Sequence, residues 1–219
     1  MKKKIFIACD TTNILKVKKI ISQTKTSKLI IGYKFGLEFM NSKKGRLFLS
    51  NLKRKIVFID LKLNDTVNTM VSAVRALKDL KFNYLTVHIS SGLSALKGVK
   101  KVSGRKKIAG VTTLTSLNNS DLKQIGYNKS VKNLVLHQAK LANRAGLDAL
   151  VCSPYEVNIV RRIFKKEIIT PGVQIGKKNY DQKRSMEAKN VKSDWLVIGR
   201  AITRGNIKRN IQELIQKLS

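Results

Sequence analysis

The segment "VFIDLKLNDTVNT" (57–69) begins as an apolar strand and ends in Asp60, Lys62 and Asp65. Asp60 and Lys62 are two apart, so in extended chain they point the same way, about 6–7 Å apart at Cα. A second lysine, Lys34, closes the apolar run "KLIIGYK" (28–34), and Asp10 closes "KIFIACD" (4–10). Lys34, Asp60 and Lys62 on one rim form an alternating cluster in which each charge keeps its neighbours ionised. Asp65, three residues beyond Lys62, lies past the strand in a loop. An isolated D-x-K is an ordinary strand-end ion pair, and such networks also occur for purely structural reasons. Lys34 and Asp10 at equivalent positions shift the balance toward a functional cluster.

The other chemistry-bearing stretch is "WLVIGRAITRGN" (195–206), a strand followed by a glycine, an arginine and helix-like sequence. Gly199 lets backbone N–H groups approach an oxyanion, and a helix start favours negative charge. Arg200 can grip a phosphate with its planar fork. Ser116, in "TTLTSLNN", is either a ligand hydrogen-bonding group or the cap of the following helix. His88 reads as a satisfied histidine at a strand end, and His137 as a structural residue in a helical pattern. With 2 His and 13 Asp+Glu in the chain, a metal site built from several such ligands has little support.

These residues need a scaffold that brings strand ends together. Eight short apolar runs alternate with amphipathic stretches: residues 4–9, 28–34, 55–60, 84–88, 107–114, 147–152, 167–172 and 195–199. Between them, segments such as "NILKVKKIISQ" and "SVKNLVLHQAKLANRAG" repeat apolar residues at three- and four-residue intervals. Strand–helix alternation implies parallel pairing through right-handed crossovers. Eight such units in 219 residues predict a single-domain α/β fold, a (β/α)8 TIM barrel spanning residues 1–219. In that barrel the C-terminal strand ends carry the chemistry. No G-x-G-x-x-G turn follows the first strand, so a dinucleotide-binding open sheet is not supported.

The balance of 45 Lys+Arg against 13 Asp+Glu gives a formal net charge of +32. Such a field favours anionic partners, from nucleic acid to phosphorylated metabolites. The lysines are scattered over nearly every polar segment instead of forming a stripe, so a solvated surface is preferred to a specific nucleic-acid site. Cys9 and Cys152 read as small buried hydrophobes. No apolar stretch is long enough to span a bilayer. A soluble, cytoplasmic protein is expected.

Taken together, the motifs resemble the orotidine 5'-monophosphate decarboxylase family over nearly the whole chain. They are "ACD" (8–10), "GYKFG" (32–36), "DLKLNDTVNT" (60–69), "TVHISSG" (86–92), "GVTTLTS" (110–116), "LVCSPYE" (150–156), "TPG" (170–172), "DQKR" (181–184) and "VIGRAIT" (197–203). The resemblance implies a charged tetrad of Lys34, Asp60, Lys62 and Asp65, with Asp65 reaching into the site of a partner subunit. It implies a homodimer with shared sites, conversion of orotidine 5'-monophosphate (OMP) to UMP, and no metal or organic cofactor. Asp10 and the partner's Thr69 would meet the ribose, and Ser116 the pyrimidine edge. Gln182, Arg200 and the Gly199 backbone would hold the 5'-phosphate.

Two departures stand out. Asn64, Thr66 and Val67 replace the family's usual His, Ile and Pro, which frees the backbone around Asp65. Gln174 replaces the arginine of the common "TPGIR" pattern, leaving Lys177, Lys178 or Arg184 as candidate substitutes. The D-x-K-x-x-D core is shared with Mg2+-dependent sugar-phosphate decarboxylases and aldolases, the nearest alternative. A basic nucleic-acid-binding protein is the alternative from another class.

Overall fold

The computed structural model describes residues 2–175 and 186–218. Eight parallel strands close into a barrel: β1 (Lys4–Ala8), β2 (Ile30–Gly36), β3 (Ile56–Leu63), β4 (Tyr84–His88), β5 (Lys107–Val111), β6 (Ala149–Val151), β7 (Glu167–Thr170) and β10 (Trp195–Ile198). The two-residue strands β8 (Val173–Gln174) and β9 (Met186–Glu187) pair with each other beyond the seventh barrel strand. β1 pairs with both β2 and β10, which completes the (β/α)8 closure. All eight sequence-expected strands are present.

Helices lie between the strands: α1 (Ile14–Gln23), α2 (Leu37–Met40), α3 (Gly45–Asn51), α4 (Val67–Ala76), α5 (Gly92–Val102), α6 (Asn119–Gln124), α7 (Val131–Arg144) and α8 (Val157–Ile163). After β10 come α9 (Arg200–Thr203) and α10 (Ile207–Leu218). The starts follow from local chemistry. Asn13 accepts a hydrogen bond from the Lys16 amide at 3.0 Å to cap α1, and Ser130 caps α7 by accepting from the Asn133 amide. Asn118 and Asp121 form a reciprocal capping box on α6. Ser116 therefore does not cap that helix. The cap falls two residues later, where the side chain can reach the first free amides.

The N-terminal end of the barrel is locked by a repeated device. Asn83, Asp148 and Asp194 each stand one residue before a strand and accept a hydrogen bond from an amide of the preceding barrel strand. The donors are Val57 (2.9 Å), Ile108 (2.9 Å) and Ile168 (2.7 Å). Lys100 and Arg161 pair with the two carboxylates. Each such bond contributes about 1 kcal/mol and pins strand register.

Two apolar layers result. The larger packs the helices on the outside of the barrel, and the smaller fills its lumen with Phe6, Phe58, Tyr84 and Trp195 among others. Phe6 stacks on Trp195 with centroids 4.0 Å apart. Gly32 is needed on the adjacent strand, because a Cβ there would fall 2.6 Å from the Phe6 ring. Glu167 closes the floor, accepting hydrogen bonds from Tyr84 (2.8 Å) and Lys107 (2.7 Å). Nearer the opposite end the lining includes the smaller Ala8, Val111, Val151 and Val197. The aromatic plug and the small residues above it leave an open cavity at the C-terminal rim.

Candidate active site

Four charges line up along that rim. The Lys34 ammonium lies 3.1 Å from Asp10 Oδ1 and 3.4 Å from Asp60 Oδ2. Asp60 Oδ2 also accepts from Lys62 Nζ at 2.8 Å. The order Asp10–Lys34–Asp60–Lys62 alternates in sign, as the strand-end spacing implies. Burial alone would push the Asp60 carboxyl upward. Lys34 and Lys62, with hydrogen bonds from Lys62 and Thr86, outweigh it and hold the carboxyl below its ordinary range. Burial likewise works against the Lys34 ammonium, but Asp60 and Asp10 prevail and raise its pKa. Asp60 and Lys34 are thus ionised together across the neutral range.

The geometry at Lys62 departs from a regular strand. Its backbone is left-handed, with φ of 50°, and the β3–β4 register shifts between Ile59 and Leu63. The simple two-residue repeat therefore does not describe how Lys62 reaches Asp60. Its amide donates to the Thr86 hydroxyl at 2.8 Å, and that hydroxyl donates to Asp60 Oδ1 at 2.9 Å. Thr86 is a residue that strand-end reasoning missed. The available signal was a polar residue inside the apolar "YLTVH", in step with Tyr84, whose side chain enters the lumen.

The cavity, about 570 Å3, runs from this cluster to the loops after β7 and β10. Its far wall carries Gly172, Gln174, Gly199 and Arg200. Gly172 holds φ of 78°, a turn that favours glycine. Arg200 opens α9, but this helix has only four residues, so side-chain charge must outweigh any helix dipole there. Lys16, from the first turn of α1, and Arg204, just beyond α9, line the same cavity and have no ion-pair partner among the described residues. Neither was singled out from sequence. Each stands several residues beyond a strand end, on a helix or its exit.

The remaining expected residues are less centrally placed. Asp65 is exposed and accepts from the Thr66 amide at 2.6 Å, and it pairs with no lysine of its own chain among the described residues. Thr69, also exposed, shares a 3.0 Å hydrogen bond with Thr66. Ser116 is exposed and lies outside the cavity lining. Gln182, with Lys177, Lys178 and Arg184, falls outside the described residues. His88 is half-buried at the end of β4, and burial followed by the Lys62 charge lowers its pKa, favouring neutral imidazole. Burial and Asp10 push the Cys9 thiol up to about 12, which leaves it unreactive at neutral pH. Among the described residues no three His, Cys, Asp or Glu side chains converge as a metal-ligand set. No described helix is long and apolar enough to cross a membrane.

A lysine–carboxylate cluster in the wall of a cavity also lined by Lys16, Arg200 and Arg204 can bind an elongated anion and stabilise negative charge beside Lys62. Fold and site together define a (β/α)8-barrel enzyme with a lysine–carboxylate centre. The profile of the orotidine 5'-phosphate decarboxylase / HUMPS family matches residues 3–212, and the chain belongs to that family. Named orotidine 5'-phosphate decarboxylases share this similarity. One from Wolbachia sp. subsp. Brugia malayi is 38% identical over 97% of this chain and 97% of its own. Another, from Haemophilus influenzae, is 38% identical over 94% of each chain. The crystal structure of orotidine 5'-phosphate decarboxylase from Lactobacillus acidophilus superposes with a TM-score of 0.83 at 25% identity, covering 100% of both chains. An orotidine 5'-monophosphate decarboxylase from Methanocaldococcus jannaschii, complexed with the inhibitor BMP, shares the fold with a TM-score of 0.80 at 20% identity over 100% of both chains.

Proposed function

We propose that this protein decarboxylates OMP to UMP and CO2 in pyrimidine biosynthesis, with Lys62 as the group that meets and quenches the carbanion. The observation that carries this reading is the 2.8 Å contact between Lys62 Nζ and the ionised Asp60, at the edge of an open cavity. Breaking the bond between C6 and the carboxylate leaves its electron pair on C6, where no adjacent group delocalises it. A cation beside C6 lowers the barrier electrostatically. The Lys62 ammonium then transfers a proton to C6, CO2 departs, and solvent reprotonates the amine. Asp60 orients Lys62, and Lys34 balances the charge of Asp60 and Asp10.

The phosphate occupies the opposite end of the cavity, beside the Gly199 backbone and Arg200, with Gln182 contributing. Gln174 is buried and neutral, so the Lys16 and Arg204 ammonium and guanidinium groups supply additional positive charge there. Asp10 meets the ribose and Ser116 the pyrimidine edge. Binding energy from the remote phosphate organises the reacting end.

The functional unit in this reading is a homodimer with shared sites. Asp65 and Thr69, both exposed and bonded only locally to Thr66 among the described residues, reach the partner's substrate. Exposed Leu37, Leu47 and Val67, on α2, α3 and the start of α4, support an apolar contact on that side. The reaction needs neither metal nor organic cofactor, because Lys62 supplies both charge and proton. A cytoplasmic location suits a substrate of intermediary metabolism, and the scattered lysines give no reason to invoke a specific nucleic-acid partner. Absorbance change from orotate to uracil, measured with purified protein in EDTA, tests the reading. Absence of turnover by folded protein would contradict it.

A further inference from the structure

The decarboxylase reading leaves one buried polar residue beside the reacting end without a role. We propose that Thr86 is a positioning residue for this reaction, its single hydroxyl fixing the Asp60 carboxylate and the Lys62 backbone at once. This inference rests on the activity proposed above.

Thr86 is fully buried on β4. Its Oγ1 lies 2.8 Å from the Lys62 amide nitrogen and 2.9 Å from Asp60 Oδ1. The direction of both bonds is forced. An amide can only donate, so the hydroxyl oxygen accepts there and its one proton goes to the carboxylate. Asp60 Oδ1 is thereby occupied, and Oδ2 is left to face Lys62 and Lys34 at 2.8 and 3.4 Å.

The same hydroxyl repairs a break in the sheet. β3 and β4 change register between Ile59 and Leu63, and Lys62 within that interval adopts φ of 50°. Among the described residues Arg54 is the one other non-glycine with positive φ. A bulged residue loses its regular ladder partner and re-aims its side chain. Thr86 supplies the lost acceptor and keeps Lys62 in a conformation that L-residues rarely adopt. A β-branched side chain is stiff at χ1, so the hydroxyl itself is held in one place. Catalytic groups need such support, because small displacements of a reacting atom cost rate.

Kinetics of Thr86→Val and Thr86→Ser with OMP test this. Valine keeps the shape and removes the hydroxyl, whereas serine restores it. The expected result for Thr86→Val is a kcat loss of about tenfold to a hundredfold, with KM changed by less than about threefold. The acid limb of its kcat profile should move to higher pH, because Asp60 loses a hydrogen bond to its charged form. Serine should recover most of kcat. If valine does not fold, Thr86→Ala compared with Thr86→Ser gives the same contrast. A hydroxyl-free variant that is folded and retains wild-type kcat overturns the proposal, as does a serine variant no better than it. Wild-type protein without OMP turnover would overturn the activity reading itself, a different outcome from either.

Discussion

Asp60 Oδ2 accepts a hydrogen bond from Lys62 Nζ at 2.8 Å, although the two residues are joined by irregular backbone. The pair is charged, partly enclosed and positioned from both sides, by Lys34 on β2 and Thr86 on β4. An isolated surface pair of this kind contributes little. In the proposed reaction the arrangement places a proton donor where negative charge develops on C6.

Asp65 has no lysine partner within its own chain among the described residues, and the shared-site reading gives it one across the dimer. Lys62→Ala and Asp65→Ala proteins should each be nearly inactive. Mixing them under conditions that allow subunit exchange should restore part of the activity, since one of the two hybrid sites would hold both wild-type residues. Exchange demonstrated by native mass spectrometry without recovered activity would show that the sites are not shared.

The cationic end of the cavity should act on binding more than on chemistry. Lys16→Gln and Arg204→Gln should each raise KM for OMP by about threefold to tenfold, with kcat changed less, the pattern of lost remote binding energy. The effect should shrink in high salt, because both side chains are exposed. Orotidine, which lacks the phosphate, should react equally slowly with wild type and variants. Unchanged KM for OMP in both variants would leave Arg200 and Gln182 as the phosphate-binding side chains.

His88 gives stability a pH dependence of known sign. Its pKa is lowered from the ordinary value of 6.5, first by burial and then by Lys62, with Asp60 opposing. Above that value both folded and unfolded histidine are neutral. As pH falls below it the unfolded chain takes up the proton first, so stability falls until the folded-state pKa is passed. Denaturant unfolding at pH 7.5 and at steps down to about pH 5 should show this loss, and His88→Gln should flatten it. An equal slope in the variant would assign the dependence elsewhere.

Much of the molecule was legible because two periodicities dominate it. Alternation in β1, β2 and β3 places Asp10, Lys34 and Asp60 at one rim, and the observed ion pairs follow from that. The backbone at Lys62 was not legible, because a register shift is a property of two paired strands and not of either sequence. Thr86 escaped notice for a related reason, since its partners belong to β3. Ser116 was a plausible cap by residue type, and only the path of the chain decided for Asn118. Lys16 and Arg204 reach the cavity from a helical turn and a helix exit, where position relative to a strand end is a poor guide. Asp65 and Thr69 take their roles in the proposed shared site from a second chain, which the sequence of one chain does not display.

The most direct measurement is turnover of OMP by purified protein in EDTA, beside a Lys62→Ala variant shown to be folded by circular dichroism. Wild type is expected to form UMP and CO2 without added metal, and the variant to lose at least about a thousandfold in kcat. Folded wild-type protein that does not turn OMP over, or a Lys62→Ala variant of equal kcat, would contradict the assignment of Lys62 as the proton donor.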